Sequence, residues 1–113
     1  MAKTALITGS SRGIGAAIAL RLAKDGYNIA LNDISDASFE NNSIADDCRA
    51  CGVEAEYFIA DVSKYADCEA MVKAVKARFG TIDALVNNAG ITRDGLLARM
   101  PEEQYDLVIA VNQ

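Results

Sequence analysis

The sequence predicts an α/β fold, a doubly wound parallel sheet with its strands in the order 3-2-1-4. Three observations lead there. Short apolar runs alternate with helical patterns four times over 113 residues. Glycines (Gly26, Gly52 and Gly80) stand where the first three helical patterns stop, the place where a left-handed residue closes a helix. Glycines, asparagines and aspartates gather just after the apolar runs. Strands alternating with helices argue for a parallel sheet covered on both faces. Right-handed crossovers then set the strand order.

Each element can be justified in turn. Lys3 to Ile7 is a brief apolar run and reads as a buried strand. Ile14, Ile18 and Leu22 follow at a spacing of four, with Arg21 and Lys24 off that stripe, and predict one face of a helix. Asn28 to Asn32 is the second strand, closed by Asp33. From about Ser35 to Ala50 the pattern is weakly helical, with Ile44, Ala45 and Cys48 on one side. Glu54 to Ala60 is the third strand, and Ser63 is a fair N-cap for the helix that runs to Phe79. Met71, Val72, Val75 and Phe79 form the apolar side of that helix. Ile82 to Asn87 is the fourth strand. Pro101, with Glu102 and Glu103 behind it, predicts a further helix running towards Val111.

Composition narrows the function. A length of 113 residues allows one small domain, 1–113. No apolar run is long enough to span a membrane, and the first strand starts too early to leave room for a signal peptide. The net charge of −5 and the lack of a basic cluster argue against a nucleic-acid surface. The absence of histidine removes Ser-His-Asp and Cys-His catalysis from these residues, and any histidine metal site. Cys48-Arg-Ala-Cys51 has the spacing of a redox pair, but it lies at the end of a helical stretch rather than its start. With Cys68 it reads as small, half-buried residues in a reducing cytoplasm, and no metal is expected.

The residues with chemistry to offer follow the strands. Gly9, Ser10, Ser11, Arg12, Gly13, Ile14 and Gly15 turn the first strand into the first helix. Backbone N–H groups and the positive end of a helix dipole meet at such a turn and can hold a phosphate. The glycine order differs from the usual Gly-x-Gly-x-x-Gly, and on this motif alone an ordinary strand–helix turn would serve as well. Asp33 lies 18 residues beyond Gly15, close to where an acidic residue accepts from the adenosine ribose hydroxyls. A carboxylate there repels a 2′-phosphate, whereas Arg12 could pair with one. NAD is therefore favoured, with NADP as the alternative. Asp61 and Val62 fall where an adenine would rest, and Asn87, Asn88, Ala89 and Gly90 where the chain would pass a cofactor ribose. These positions all sit at carboxyl ends of strands, the edge where open α/β sheets bind ligands.

Thr8-Gly9-x-x-x-Gly13-Ile14-Gly15, Asp61-Val62 and Asn87-Asn88-Ala89-Gly90 together resemble the short-chain dehydrogenase/reductase family, over the whole chain and in order. Leu85 to Asp94 is similar in detail to β-ketoacyl-carrier-protein reductases and to acetoin- or sugar-alcohol-oxidising relatives. The resemblance implies a Rossmann-type sheet, incomplete within these residues. It also implies an NAD(P)-dependent oxidoreductase that moves a hydride between nicotinamide and an alcohol/carbonyl substrate, in the cytoplasm, as a homo-oligomer. In the family the association is usually tetrameric, through the helix near Pro101 and the one after it. Of the family's catalytic Asn, Ser, Tyr and Lys, only the Asn is matched, by Asn112, which in relatives holds a water in the proton relay.

The departure is the missing Tyr-x-x-x-Lys. Tyr27, Tyr57, Tyr65 and Tyr105 are followed four residues on by Leu31, Asp61, Glu69 and Ile109, never by lysine. A lysine is needed there to bring the tyrosine proton within reach of neutral pH. The expectation is therefore the N-terminal, cofactor-holding part of a longer reductase, not active alone. The alternative is a short, non-catalytic nucleotide-binding protein.

Overall fold

The computed structural model describes residues 3–88 and the backbone of Val108–Ala110. Five strands form one parallel sheet: β1 (Thr4–Ile7), β2 (Asn28–Asp33), β3 (Ala55–Ile59), β4 (Ala84–Asn87) and β5 (Val108–Ala110). Their order is β3-β2-β1-β4-β5, so the predicted 3-2-1-4 arrangement is present with one strand added at the β4 edge. Leu6 pairs with Ala30 on one side and with Leu85 on the other, and β1 is the central strand of the five.

Side chains along β1 alternate between two cores, as strand geometry requires. Ala5 and Ile7 pack with Ile29, Leu31 and Val86 under α1 (Gly13–Lys24) and α2 (Ile44–Arg49). Leu6 joins Ala30 and Leu85 on the opposite face, against Cys68, Met71, Val72 and Val75 of α3 (Tyr65–Phe79). Burying each of the large aliphatic side chains is worth ~2 kcal/mol, and each face of the sheet thus carries a core around β1. Among the described residues no helix is long and apolar enough to cross a membrane.

Four expectations need correction. The buried residues of α1 are Gly15, Ala19 and Ala23; of the expected stripe, Ile18 and Leu22 are partly buried against the same core, whereas Ile14 is 53% exposed. Small residues let the helix axis approach β1 and β2 closely, and the isoleucines flank that contact. The stretch from Ser35 to Ala50 is not one helix. It divides into a 3₁₀ turn at Asp36–Phe39 and α2, because Asn41 takes a left-handed conformation (φ 52°) that no helix continues through. Ser63 does not cap α3. Lys64 occupies that position without a side-chain hydrogen bond, and the Ser63 hydroxyl turns back to donate to Asp61.

The fourth correction concerns the end of the chain. Val108–Ala110, expected within a helix, is a strand paired in parallel with Leu85, Val86 and Asn87. Val108 and Ile109 are β-branched and favour a pleated conformation, and the outer edge of β4 offers a row of backbone groups to pair with. The remainder of the predicted helix, from Pro101 to Leu107 and at Val111, lies outside the described residues.

Candidate functional site

The polar residues at the carboxyl ends of β1 to β4 enclose a hollow of about 490 Å³. Gly9, Arg12, Gly13 and Ile14 line it from the turn between β1 and α1. Asp33 and Ile34 line it from the end of β2, and Asp61 and Val62 from the end of β3. Asn88 closes the side beyond β4. Four separate stretches of sequence thus meet in one space, as the parallel topology requires.

The turn itself is built by glycine geometry. Gly9 and Gly13 both hold left-handed backbone angles (φ 60° and 64°), which cost other residues about 1 kcal/mol or more. A Cβ on Gly13 would meet no atom within 4 Å, so open space lies beside it. Gly15 is different: a Cβ there would overlap the Gly9 carbonyl oxygen and sit 2.5 Å from Asn88 Nδ2. Its role is close packing of α1 under the turn. The N-terminal end of α1 has no side-chain cap and no acidic residue in its first turn. Its orphan N–H groups and positive dipole end therefore remain available for an anion.

Asn32 ties the turn to β2. Its Oδ1 accepts from Gly9 N–H at 3.3 Å, and its Nδ2 donates to the carbonyls of Phe58 (3.1 Å) and Ala60 (3.3 Å). Ser10 is fully buried. Its hydroxyl accepts from Asn32 N–H at 2.9 Å and lies 3.4 Å from Asn32 O, a structural contact away from the hollow. Ser11 is also buried; its N–H (3.3 Å) and hydroxyl (2.6 Å) both donate to Asp33 Oδ2. Asn88 donates its N–H to Thr8 Oγ1 at 2.9 Å and its Nδ2 to Gly9 O at 3.1 Å, which fixes the β4 end against the turn.

Asp61 folds its own turn. Its Oδ1 accepts from the Ser63 hydroxyl (2.6 Å) and the Ser63 N–H (3.0 Å), the geometry of an Asx turn. The Ser63 hydroxyl first, then the Ser63 N–H and the nearby Lys64 charge, hold its pKa below the usual aspartate value. Asp61 N–H in turn donates to Asp67 Oδ2 at 3.1 Å.

Of the residues singled out from sequence, Gly9, Arg12, Gly13, Ile14, Asp33, Asp61, Val62 and Asn88 share the hollow. Ser10, Ser11 and Gly15 support it from behind. Asn87 ends β4, while Ala89, Gly90 and Asn112 lie outside the described residues. Sequence reasoning missed three lining residues: Asn32, Ile34 and Ala60. The signal for Asn32 was an amide at the end of an otherwise apolar run. The signal for Ile34, 61% exposed, was an isoleucine immediately after the strand-ending aspartate. The cysteines stay apart from the hollow. Cys48 and Cys68 are buried free thiols; burial first, with nearby acidic groups and, for Cys48, the neighbouring Cys51, pushes each pKa up to about 11.

Similarity to known proteins decides the family. The family model for short chain dehydrogenase matches residues 3–113. The chain belongs to the short-chain dehydrogenase family. Within it, the chain is 46% identical over 112 residues to 3-oxoacyl-[acyl-carrier-protein] reductase FabG of Staphylococcus aureus (strain Mu50 / ATCC 700699). That match takes in 99% of this chain and 45% of the relative, so the chain spans about half the length of the curated short-chain dehydrogenase relatives it matches. Among solved structures it is similar to actinorhodin polyketide ketoreductase with NADPH, at TM-score 0.71 and 36% identity over 91% of this chain and 39% of that one. It is also similar to NAD+-bound xylitol dehydrogenase, at TM-score 0.72 and 40% identity over 79% of this chain and 34% of that one. The strand order and the hollow at the strand ends agree with membership of a family of Rossmann-type folds.

Proposed function

We propose that the chain is the dinucleotide-holding part of an oxidoreductase that exchanges a hydride between NAD(H) and an alcohol/carbonyl pair. On this reading residues 1–113 form a single dinucleotide-binding domain, the N-terminal part of a longer one. The observation that carries the proposal is the convergence of four strand ends on one hollow beside an uncapped helix N-terminus. When bound, the nicotinamide supplies or accepts the hydride.

The chain's own residues bind and orient. Gly9, Gly13 and the first-turn N–H groups of α1 hold the pyrophosphate, because only glycine lets the backbone approach so closely. Asp33 accepts from the adenosine ribose hydroxyls and repels a 2′-phosphate, which favours NAD; Arg12 is the residue that would favour NADP. Val62 and Ile34 pack on the adenine faces, and Asp61, held ionised by Ser63, accepts from its exocyclic amine. Asn87, Asn88, Ala89 and Gly90 line the path of the second ribose, and Asn112 holds a water for proton relay. Relatives named as reductases of 3-oxoacyl groups or as a xylitol dehydrogenase support a secondary alcohol or ketone as substrate class. A cytoplasmic homotetramer completes the proposal.

Thermal denaturation with NAD+, NADP+ or neither tests the binding. NAD+ is expected to raise the melting temperature more than NADP+ does, and Asp33→Ala to narrow the difference. Equal stabilisation by the two would make Arg12 the deciding residue. No stabilisation by either would overturn the proposal. NAD+ binding combined with no consumption of NADH in the presence of ketones would favour a nucleotide-binding protein without catalysis.

A further inference from the structure

The pair Cys48 and Cys51, which the hollow does not use, is brought together by the way α2 ends. Ala50 N–H donates to Asp46 O at 2.9 Å, an α-helical bond. The next two N–H groups reach back one residue less: Cys51 N–H to Cys48 O at 3.0 Å, and Gly52 N–H to Arg49 O at 2.9 Å. Such a tightened turn sets side chains i and i+3 one above the other, with Cα atoms less than about 7 Å apart. A disulfide spans Cα separations of about 4.4–6.8 Å. Both side chains also turn to the same place. Cys48 is a buried member of the core on the α1 and α2 face of the sheet, and Cys51 packs against that core while half-buried. Cys51 Sγ donates to the Asp47 carbonyl at 3.6 Å. Cys51 is thus the sulfur that a reagent reaches first, and Cys48 the one that lies behind it. Cys68 belongs to the opposite core.

The C-terminal end of a helix is the negative end of its dipole and stabilises no thiolate. Burial first, then Cys51 and Asp47, push the Cys48 pKa up to about 11. A dithiol whose reduced form is not stabilised is a poor donor of its disulfide to other proteins. The pair is therefore suited to being modified rather than to catalysing exchange. We propose that Cys48 and Cys51 are a reversible modification site, closed into a disulfide by exchange with a small-molecule disulfide that enters at Cys51. With glutathione disulfide, the Cys51 thiolate attacks one sulfur. A bond from Cys51 to glutathione forms, the original S–S bond breaks, and one glutathione leaves with the proton that Cys51 gave up. Cys48 then gives up its proton and attacks the Cys51 sulfur, and the second glutathione leaves with that proton. Two protein thiols are oxidised and one disulfide is reduced to two thiols. The second step is the slower one, because burial holds Cys48 protonated.

The test is incubation of the folded protein with glutathione disulfide, followed by intact mass and by mapping of the linked peptide. The unmodified protein is expected to lose two hydrogens and two of its three free thiols, with the link between Cys48 and Cys51 and with Cys68 still free. Dithiothreitol should return all three. Cys48→Ala is expected to stop after the first step and accumulate a glutathione adduct on Cys51. Cys51→Ser is expected to take up no glutathione, because the thiols it keeps are buried. Melting temperatures recorded before treatment show that each variant reacts in its folded form. A glutathione adduct that persists on Cys51 of the unmodified protein overturns the proposal, since the second sulfur is then out of reach. So do an adduct on Cys48, a bond between two molecules, and thiols that react only once urea has unfolded the chain. If Cys48→Ala does not fold, the unmodified protein and Cys51→Ser decide.

Discussion

At the edge where the strands begin, polar groups reach across and tie neighbouring strands together; at the edge where they end, similar groups hold an opening. On the first edge, Asp83 accepts from Thr4 N–H at 2.9 Å and Asn28 accepts from Glu54 N–H at 3.0 Å. Arg49 donates twice to the Ala55 carbonyl, at 3.0 and 2.7 Å. Arg78 pairs with both Glu54 and Glu56 at 2.8 Å, and these bonds raise its pKa. On the second edge, Asn32, Ser11 and Asn88 bind backbone or side chain behind the hollow, leaving Gly13, Asp33 and Asp61 at its wall. A parallel sheet explains the asymmetry. All strands leave by the same edge into turns that start helices, so uncapped helix N–H groups and turn residues accumulate there. The other edge receives helix C-termini, whose left-handed glycines finish the chain reversal within the protein.

The comparison breaks most directly at Gly15. Gly15→Ala would force a Cβ against the Gly9 backbone and Asn88, where neither a carbonyl nor a hydrogen-bonded amide can move cheaply. A loss of ~2–3 kcal/mol is expected, together with loss of NAD+ affinity, since the displaced groups frame the hollow. Urea denaturation and an NAD+ titration check the two losses; a variant with unchanged stability would mean that the turn yields. The paired change at the other edge is Asp83→Ala. It strips Thr4 N–H of its acceptor and should cost ~1–2 kcal/mol while leaving NAD+ affinity as it was. Loss of affinity there would show that the two edges are coupled through β1.

These two positions also mark how far the sequence could be read. The four strands, the helix stops at Gly26 and Gly80 and the place of Asp33 were legible, because each follows from a period or a backbone angle that a local stretch dictates. What was not legible depended on partners distant in sequence. The α1 stripe is only partly legible because large aliphatic residues signal burial more loudly than alanines: Ile18 and Leu22 do pack against the core, but closeness to the sheet favours Gly15, Ala19 and Ala23. The sequence suggests Ser63 as a cap because its alternative partner, Asp61, cannot be ranked against an N–H by spacing alone. Asn32 escaped notice because its four contacts reach residues from Gly9 to Ala60. Val108–Ala110 pairs with a strand more than twenty residues earlier, and its local pattern suits either state.

A pH titration sharpens the comparison in the interior between the two edges. Cys48 and Cys68 have pKa values pushed from the ordinary 9.0 to about 11, chiefly by burial. In the unfolded chain each thiol ionises first, so the folded state holds more protons between these values. Stability is therefore complete below about pH 9 and falls as pH rises towards 11. Cys48→Ala with Cys68→Ala should flatten the fall. Since one thiol belongs to α2 and the other to α3, in the cores on opposite sheet faces, single variants show whether both faces contribute. A slope that survives the double change would assign it to other groups.

The smallest expected effect lies in an imperfection of the closed edge. Thr4 is fully buried, its N–H is bonded to Asp83, yet among the described residues its Oγ1 is the buried side-chain atom left without a hydrogen-bond partner. A hydroxyl desolvated without compensation costs on the order of 1 kcal/mol or more. Thr4→Val keeps the branched shape and removes that cost, so it should raise stability by ~0.5–1 kcal/mol and leave dinucleotide affinity unchanged. The same substitution at Thr8 should do the reverse. Thr8 Oγ1 accepts from Asn88 N–H at 2.9 Å and donates to Val86 O at 3.4 Å, and a methyl group there would remove both of these bonds beside the hollow. Two threonines at opposite ends of one strand are thus expected to respond with opposite sign. If Thr4→Val destabilises instead, its hydroxyl has a use at the closed edge, and the division between an edge that binds inward and an edge that binds outward would not extend to β1.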